Sequence, residues 1–302
     1  MILDITIPLS ANFRRHDFLA FHSRDPQAVA EEVKADRLRK GILWDGNPAC
    51  LTVEFSGQQV YAELNLDGAF AARDQARLTK TLHHMLGLTQ PVDVFEATHQ
   101  KHPVLGPLLR KQDGLRVPQS YSPFEALTWA VTGQQITVSA AIALRRKFIQ
   151  LAGVRHSSGL ACYPEAQNVA RLNEDELRQA GFSKTKAQTL LLLSNLIDAG
   201  ELPLESWQES LPVELATHRL IGVRGIGPWT VNYALLRGFA WVDGSLHGDA
   251  AVRRGLRILH GGVEDFTEKQ AQAWLADFSP WRALVAAHLW AMSSPENHTA
   301  HD

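Results

Sequence analysis

The stretch Leu220-Ile221-Gly222-Val223-Arg224-Gly225-Ile226-Gly227-Pro228-Trp229-Thr230 is where residue types and spacing point most directly to chemistry. Gly225 and Gly227 can take backbone angles that other residues avoid, and Pro228 suits the first position of a helix. Consecutive N–H groups then converge at a helix N-terminus, an anion site that needs no lysine. Gly222, Arg224, Gly225, Gly227 and Thr230 are the residues such a site would use. The same pattern also fits an ordinary connection between two helices, so the glycines alone leave both readings open. Further on, Asp249 stands before Ala-Ala-Val-Arg-Arg, a sequence that makes it a good helix N-cap. Trp229 and Tyr233 are four apart and share a helix face. Core packing is the usual fate of a tryptophan placed so.

Two kinds of structure must position these groups. Up to about residue 115, strand-like alternation mixes with helices. Ile2 to Ile7 alternates as a first strand, and Cys50–Phe55 with Gln58–Leu64, about Ser56-Gly57, reads as a hairpin. Asp25 to Lys40 has helical periodicity, and Arg73 to Leu86 is a second helix ended by Gly87. After Tyr121 the chain reads as nearly all helix. Ser122-Pro123-Phe124-Glu125 combines an N-cap serine, a first-position proline and a glutamate three residues on. Asn173 opens a helix that Gly181 stops, and Ser183 opens one that runs to Gly200. The hairpin helix ends at Gly238, Thr267 begins another capping box, and Ser279-Pro280 starts a last helix carrying Trp281, Leu284, His288 and Trp290. The tail from Ser293 reads as frayed. The fold class is an α+β N-terminal domain, a small antiparallel sheet with helices, over residues 1–115. A mainly α-helical domain with the helix-hairpin-helix motif, at about 213–238, follows over 116–302.

Composition narrows the function. The chain has 302 residues, 45% of them hydrophobic, enough for two domains with cores of their own. No apolar run approaches a bilayer span, and no secretory signal opens the chain. Cys50 and Cys162 stand far apart in no C-x-x-C context, which points to a reducing, cytoplasmic setting and away from zinc or an iron–sulfur cluster. The net charge is −2, and neither half is basic: 14 basic and 14 acidic residues lie up to residue 119, then 16 and 18. Any nucleic-acid affinity must therefore come from local arrangement rather than bulk charge. Arg145-Arg146-Lys147 and Arg253-Arg254 read as solvated charge runs, and the histidines show no spacing for a catalytic metal.

The hairpin followed by Asp249 in Leu246-His247-Gly248-Asp249-Ala250-Ala251 resembles the helix-hairpin-helix DNA glycosylase superfamily. Val131–Val138, Gly227–Tyr233 and Ser279–Leu284 are similar, in order, to three segments of its bacterial 3-methyladenine DNA glycosylase II branch. The resemblance implies a monofunctional glycosylase of base excision repair. Such an enzyme flips an alkylated purine, 3-methyladenine or 7-methylguanine, out of duplex DNA and hydrolyses its glycosidic bond. On this reading Asp249 is catalytic, stabilising the positive charge that builds on the sugar. Trp229 occupies the position where strand-cleaving relatives carry a Schiff-base lysine, which implies no lyase activity. Trp229, Tyr233, Trp281 and Phe18 would line an aromatic cleft attractive to a cationic base.

Gln134 and Gln135 fall in the wedge segment, with Gln135 where the nearest branch places an intercalating leucine. That departure leaves the range of substrates open. The resemblance also admits a structural cation at the carbonyls of Val223 and Ile226. No catalytic metal or cofactor is implied, and the protein is expected to act as a monomer without membrane contact. Two other readings stay open: a glycosylase for deaminated or oxidised bases, and a non-catalytic binder of distorted DNA. Pure binding needs neither Asp249 nor Trp229, which speaks against the last.

Overall fold

The computed structural model describes residues 1–262 and 265–293. β1 (Ile2–Pro8) is followed by α1 (Arg15–His22), β2 (Glu31–Lys34), β3 (Arg37–Trp44), β4 (Asn47–Ser56) and β5 (Gln59–Leu66). The strands form one antiparallel sheet in the order β1-β5-β4-β3-β2. Its inner face is written by alternation: Val60, Ala62, Leu64 and Leu66 of β5 are buried, whereas Gln59 and Tyr61 are exposed. The hairpin about Ser56-Gly57 forms, with Ser56 paired to Gln59 and Gly57-Gln58 as the turn.

The helical periodicity over Asp25–Lys40 does not become a helix. Glu31–Lys34 and Arg37–Lys40 pair antiparallel instead, turning at Ala35 with φ +50°. Leu38, Lys40 and Ile42 point inward together, so the period-two pattern wins once β4 pairs along β3. The helix of this region is α1.

Helices make up the rest: α2 (Asp74–Met85), α3 (Val92–His99), α4 (Leu105–Lys111), α5 (Pro123–Gly133), α6 (Val138–Ala152), α7 (Ala166–Ala170) and α8 (Glu174–Gln179). After them come α9 (Lys184–Asp198), α10 (Leu204–Glu209), α11 (Val213–Ile221), α12 (Pro228–Phe239), α13 (Ala250–Leu259), α14 (Glu268–Ala276) and α15 (Arg282–Ser293). The caps at Ser122, Asn173, Ser183 and Thr267 all form. Two helix ends differ from the sequence reading. α12 passes Gly238 and stops at Ala240 in the left-handed region. α15 begins at Arg282 rather than at Ser279-Pro280, because Asp243 holds the Ser279 hydroxyl and the Arg282 backbone and guanidinium. The frayed tail read from Ser293 lies outside the described residues beyond position 293. Among the described residues no helix is long and apolar enough to cross a membrane.

Three packed groups position the site. One is the sheet with α1 and α2. A second joins α5, α6 and α9 to α11 and part of α12. The third brings Phe95, Leu105, Leu109 and Leu115 of the α3–α4 segment against Tyr233, Leu256, Leu284 and Leu289 from α12, α13 and α15. The sheet is locked to the helices by a buried quartet of charges. The Lys40 ammonium donates to Glu31 at 2.5 Å and Glu125 at 2.8 Å, and Arg145 reaches the same two carboxylates at 2.9 and 2.7 Å. Burial alone would push the Glu31 carboxyl up, but Arg145 and Lys40 outweigh it and hold the group well below the usual carboxylate range. Arg146 pairs inward with Asp25 at 2.6 Å. Arg145 and Arg146 are thus interior struts, not the solvated run their sequence suggests.

Candidate active site

The hairpin loop between α11 and α12 is built as its glycines require. Gly225 has φ +92°, and a Cβ there would lie 2.0 Å from the Thr189 hydroxyl, so glycine alone fits. Thr189 Oγ1 donates to the Arg224 carbonyl at 3.0 Å. Gln134 Nε2 donates to the Gly225 carbonyl at 3.0 Å and to Thr230 Oγ1 at 2.9 Å. Gly222 closes α11 and Gly227 caps α12 with extended backbone, followed by Pro228 at the first helical position. The first-turn N–H groups of α12 have no intrahelical acceptor. Nothing stands within 4 Å of a Cβ built on Gly227, so the space before them is open. Gly222, Arg224 and Gly225 are exposed on the same loop. Thr230 is buried, and its hydroxyl serves the brace with Gln134 rather than the surface.

The Val223 carbonyl accepts the Ile226 N–H at 3.0 Å, and both side chains point into the core. The carbonyls of residues 224 and 225 accept side-chain donors as well, from Thr189 and Gln134. Gln135 sits at the apex between α5 and α6, exposed, with φ +55°. Ile136 beside it is 38% exposed and Val138 is 67% exposed, so the tip is more apolar than Gln135 suggests.

Asp249 caps α13. Its Oδ1 accepts from the Ala251 N–H at 2.8 Å and the Val252 N–H at 3.2 Å. The indole of Trp290 donates to the same oxygen at 3.1 Å, and the indole of Trp229 donates to Oδ2 at 2.9 Å. Two backbone amides and two indoles therefore fix the carboxylate. Cap and site coincide in one residue.

Tertiary packing aims these donors. A Cβ on Gly255 of α13 would lie 2.7 Å from the Leu289 carbonyl of α15, so the two helices touch backbone to backbone. That contact places Trp290 at the start of α13. On the other side Asn232 of α12 donates to the Ser245 carbonyl at 3.1 Å, which ties the loop leading to Asp249 to the helix bearing Trp229. Trp229 stacks on Tyr233 with centroids 5.3 Å apart, and Tyr233 lies 6.2 Å from Trp290. Tyr233 is buried, while Trp229 and Trp290, whose indoles reach Asp249, are half-buried.

Two of the aromatic residues assigned by resemblance sit elsewhere. Trp281 packs against Phe95 and His99 of α3, and the tryptophan that reaches Asp249 is Trp290. Phe18 is 1% exposed in the sheet's core, in ring contact with Phe55 and His22. It offers no face to a ligand. The neighbouring aromatic that faces α12 is Phe21, whose ring carries the Arg237 guanidinium at 4.6 Å. Trp290, which reaches Asp249, is the site candidate the sequence reading passed over, although it lies on the expected last helix.

A glycine hairpin, the Gln135 loop braced to it through Gln134, and a carboxylate held by two indoles thus meet around the first turns of α12. Residues 128–280 match the HhH-GPD superfamily of base excision DNA repair proteins, and the chain belongs to that family. It is 27% identical over 291 residues to the DNA-3-methyladenine glycosylase of Bacillus subtilis, covering 95% of this chain and 96% of that protein. It is 30% identical over 190 residues to DNA-3-methyladenine glycosylase 2 of Escherichia coli, covering 62% and 63% of the two. The fold superposes on that of the 3-methyladenine DNA-glycosylase from Archaeoglobus fulgidus with a TM-score of 0.80, over 96% of this chain and 98% of that one, at 21% identity.

Proposed function

We propose that the protein is a monofunctional DNA glycosylase that excises alkylated purines, 3-methyladenine and 7-methylguanine among them, with Asp249 as its catalytic group. The observation that carries this reading is the Asp249 carboxylate fixed by two backbone amides and the indoles of Trp229 and Trp290. Oδ1 takes three donors and Oδ2 one, so Oδ2 keeps a lone pair for the sugar or the attacking water. As the base departs, the sugar gains positive charge. A preorganised carboxylate stabilises that charge without reorganising.

The faces of Trp229 and Trp290 suit a base made cationic by methylation, each face adding about 0.5–2 kcal/mol. Trp229 stands where a nucleophilic lysine would otherwise be, so water is the nucleophile and the strand stays intact. The hairpin amides at Gly225–Thr230 hold a phosphate, and Gln135, with Ile136 beside it, fills the gap in the duplex. The packing of α3 and α4 with α12, α13 and α15 supports a division between the sheet unit and the helical unit nearer residue 90 than 115. The protein works as a monomer on duplex DNA.

The test is to incubate methylated DNA with the protein and identify the released free bases by chromatography. Release of 3-methyladenine and 7-methylguanine without added metal or nucleotide is the expected result. Complete inactivity of folded protein would leave only the binding of distorted DNA.

A further inference from the structure

Trp229, Tyr233 and Arg237 follow one another at four-residue spacing along one face of α12. Trp229 reaches Asp249, Tyr233 stacks on Trp229, and Arg237 stands one turn further along. Arg237 is 9% exposed. Its guanidinium lies 4.6 Å from the Phe21 ring and 5.6 Å from the ring of Trp290, the residue that donates to Asp249. One amino group donates to the Pro118 carbonyl at 2.7 Å. Its Nε–H is buried with no acceptor. The Arg24 guanidinium lies 4.4 Å from the same Phe21 ring. Asp17, the acidic group facing Arg237 from α1, is bound to Arg14 at 2.6 Å. Burying a guanidinium with a donor unpaired costs stability, so fold stability does not account for Arg237.

The geometry points to Arg237 as a specificity-determining residue of the glycosylase: its buried positive charge offsets part of the preference for cationic bases that the faces of Trp229 and Trp290 give, and so widens the range toward neutral purines. The inference rests on the cleft being the base pocket, as proposed above. When the bond from C1′ to the base nitrogen breaks, its electron pair goes to the base. The water oxygen bonds to C1′ and releases a proton. A cationic methylpurine departs neutral and needs no help. A neutral purine departs as an anion, which a nearby guanidinium stabilises before the proton from water reaches it. Arg237 therefore repels the first class in the bound state and assists the second in the transition state, and both effects move the ratio the same way. Burial pulls the pKa of Arg237 down to about 10, which still leaves it charged at neutral pH.

Single-turnover excision from duplexes carrying one 7-methylguanine or one hypoxanthine tests this in wild type, Arg237→Met, Arg237→Lys and Arg24→Gln. Because two substrates are compared in one preparation, the ratio of rates is independent of the folded fraction. Arg237→Met should raise the cationic-to-neutral ratio about tenfold or more, Arg237→Lys should keep it, and Arg24→Gln should raise it about threefold. A ratio within twofold of wild type in Arg237→Met overturns the proposal, as does an equal shift in Met and Lys, which would make the effect one of shape. If Arg237→Met does not fold, an unchanged ratio in Arg24→Gln overturns it. Should the wild type release neither base, the reading of the site as a glycosylase fails separately. The affinity ratio of free 7,9-dimethylguaninium to 9-methylhypoxanthine, read by tryptophan quenching, then decides the role of Arg237 in the same directions.

Discussion

Asp249→Asn separates chemistry from architecture at this site. Asparagine caps a helix about as well as aspartate, and its side-chain oxygen can keep the bonds from Ala251, Val252 and Trp290. The amide nitrogen then falls where Oδ2 was, facing the Trp229 indole N–H, which donates to Oδ2 at 2.9 Å in the wild type. Donor meets donor there, and one charge-assisted bond is lost. Trp229 is half-buried, so water recovers part of the loss. We expect a stability decrease of about 1 kcal/mol, which is a fall of roughly 2–4 °C in Tm for a chain of this size.

The effect on excision should be far larger. Removing the negative charge opposite the developing sugar cation is expected to slow the single-turnover rate by ~100–1000-fold, about 2.7–4 kcal/mol. Binding to abasic DNA should hold or tighten, since a carboxylate facing the polyanion is gone. Trp229→Phe supplies the control, because it keeps the charge and removes only the indole donor. It should cost about tenfold. A cap-only role for Asp249 gives a different pattern, with near-normal excision for Asn despite its loss of stability, and a further loss of about 1 kcal/mol for Ala, which removes the cap. Excision by Asn within threefold of wild type would refute the catalytic assignment.

Three further outcomes are expected. Borohydride should trap no covalent adduct, and product DNA should stay unbroken until treated with alkali; a robust adduct would show that a lysine does the work denied to Trp229. Gly225→Ala places a methyl 2.0 Å from the Thr189 hydroxyl at φ +92°, and should cost roughly 2 kcal/mol or more in urea melts and weaken DNA binding; normal binding would mean the loop is not the phosphate site. Acid should destabilise the fold below about pH 6.5, because burial lowers the pKa of His84 to about 4 and of His288 to about 3. Unfolding lets both rings take up protons between those values and the unfolded pKa, so stability falls by about 1.4 kcal/mol per pH unit per histidine as pH drops through that window. A flat profile from pH 6.5 to 5 would contradict the burial of both rings.

What could be read from the residues follows what is local. The hairpin and the caps at Ser122, Asn173, Ser183 and Thr267 were legible because glycine, proline and capping side chains act within a few residues of themselves. Asp249 was legible twice over, as a cap and by family resemblance, and the structure gives it both sets of neighbours. Trp290 was not, because the sequence offers Trp281 and Trp290 nine positions apart, half a turn out of phase on a helix. The choice between them depends on Gly255 meeting Leu289, a contact with no local signature. Phe18 and Phe21 pose the same problem on α1, where the sheet takes Phe18 for its core. The segment 25–40 misled because Lys40, polar by type, is an inward residue. Its burial makes sense only once β2 pairs Glu31 beside it and Glu125 arrives from α5.

That quartet also explains how a chain with net charge −2 can belong to a family that works on DNA. Several arginines that would advertise a polyanion site are spent inside the fold. Arg145 and Arg146 bind interior carboxylates, Arg237 is buried, and Arg282 holds Asp243. On α13, Arg253 reaches the Gly248 carbonyl at 2.8 Å and Glu268 at 3.5 Å. Facing outward at the hairpin are the exposed Arg224 and the N-terminus of α12, whose amides carry partial positive charge and count in no tally of lysines. Backbone amides hold a phosphate by geometry as much as by charge. Gln134, bonded to both Gly225 and Thr230, links that geometry to the wedge loop. In the proposed reading the two loops are thereby held in one register, and a phosphate seated on the hairpin would set where Gln135 and Ile136 enter the duplex.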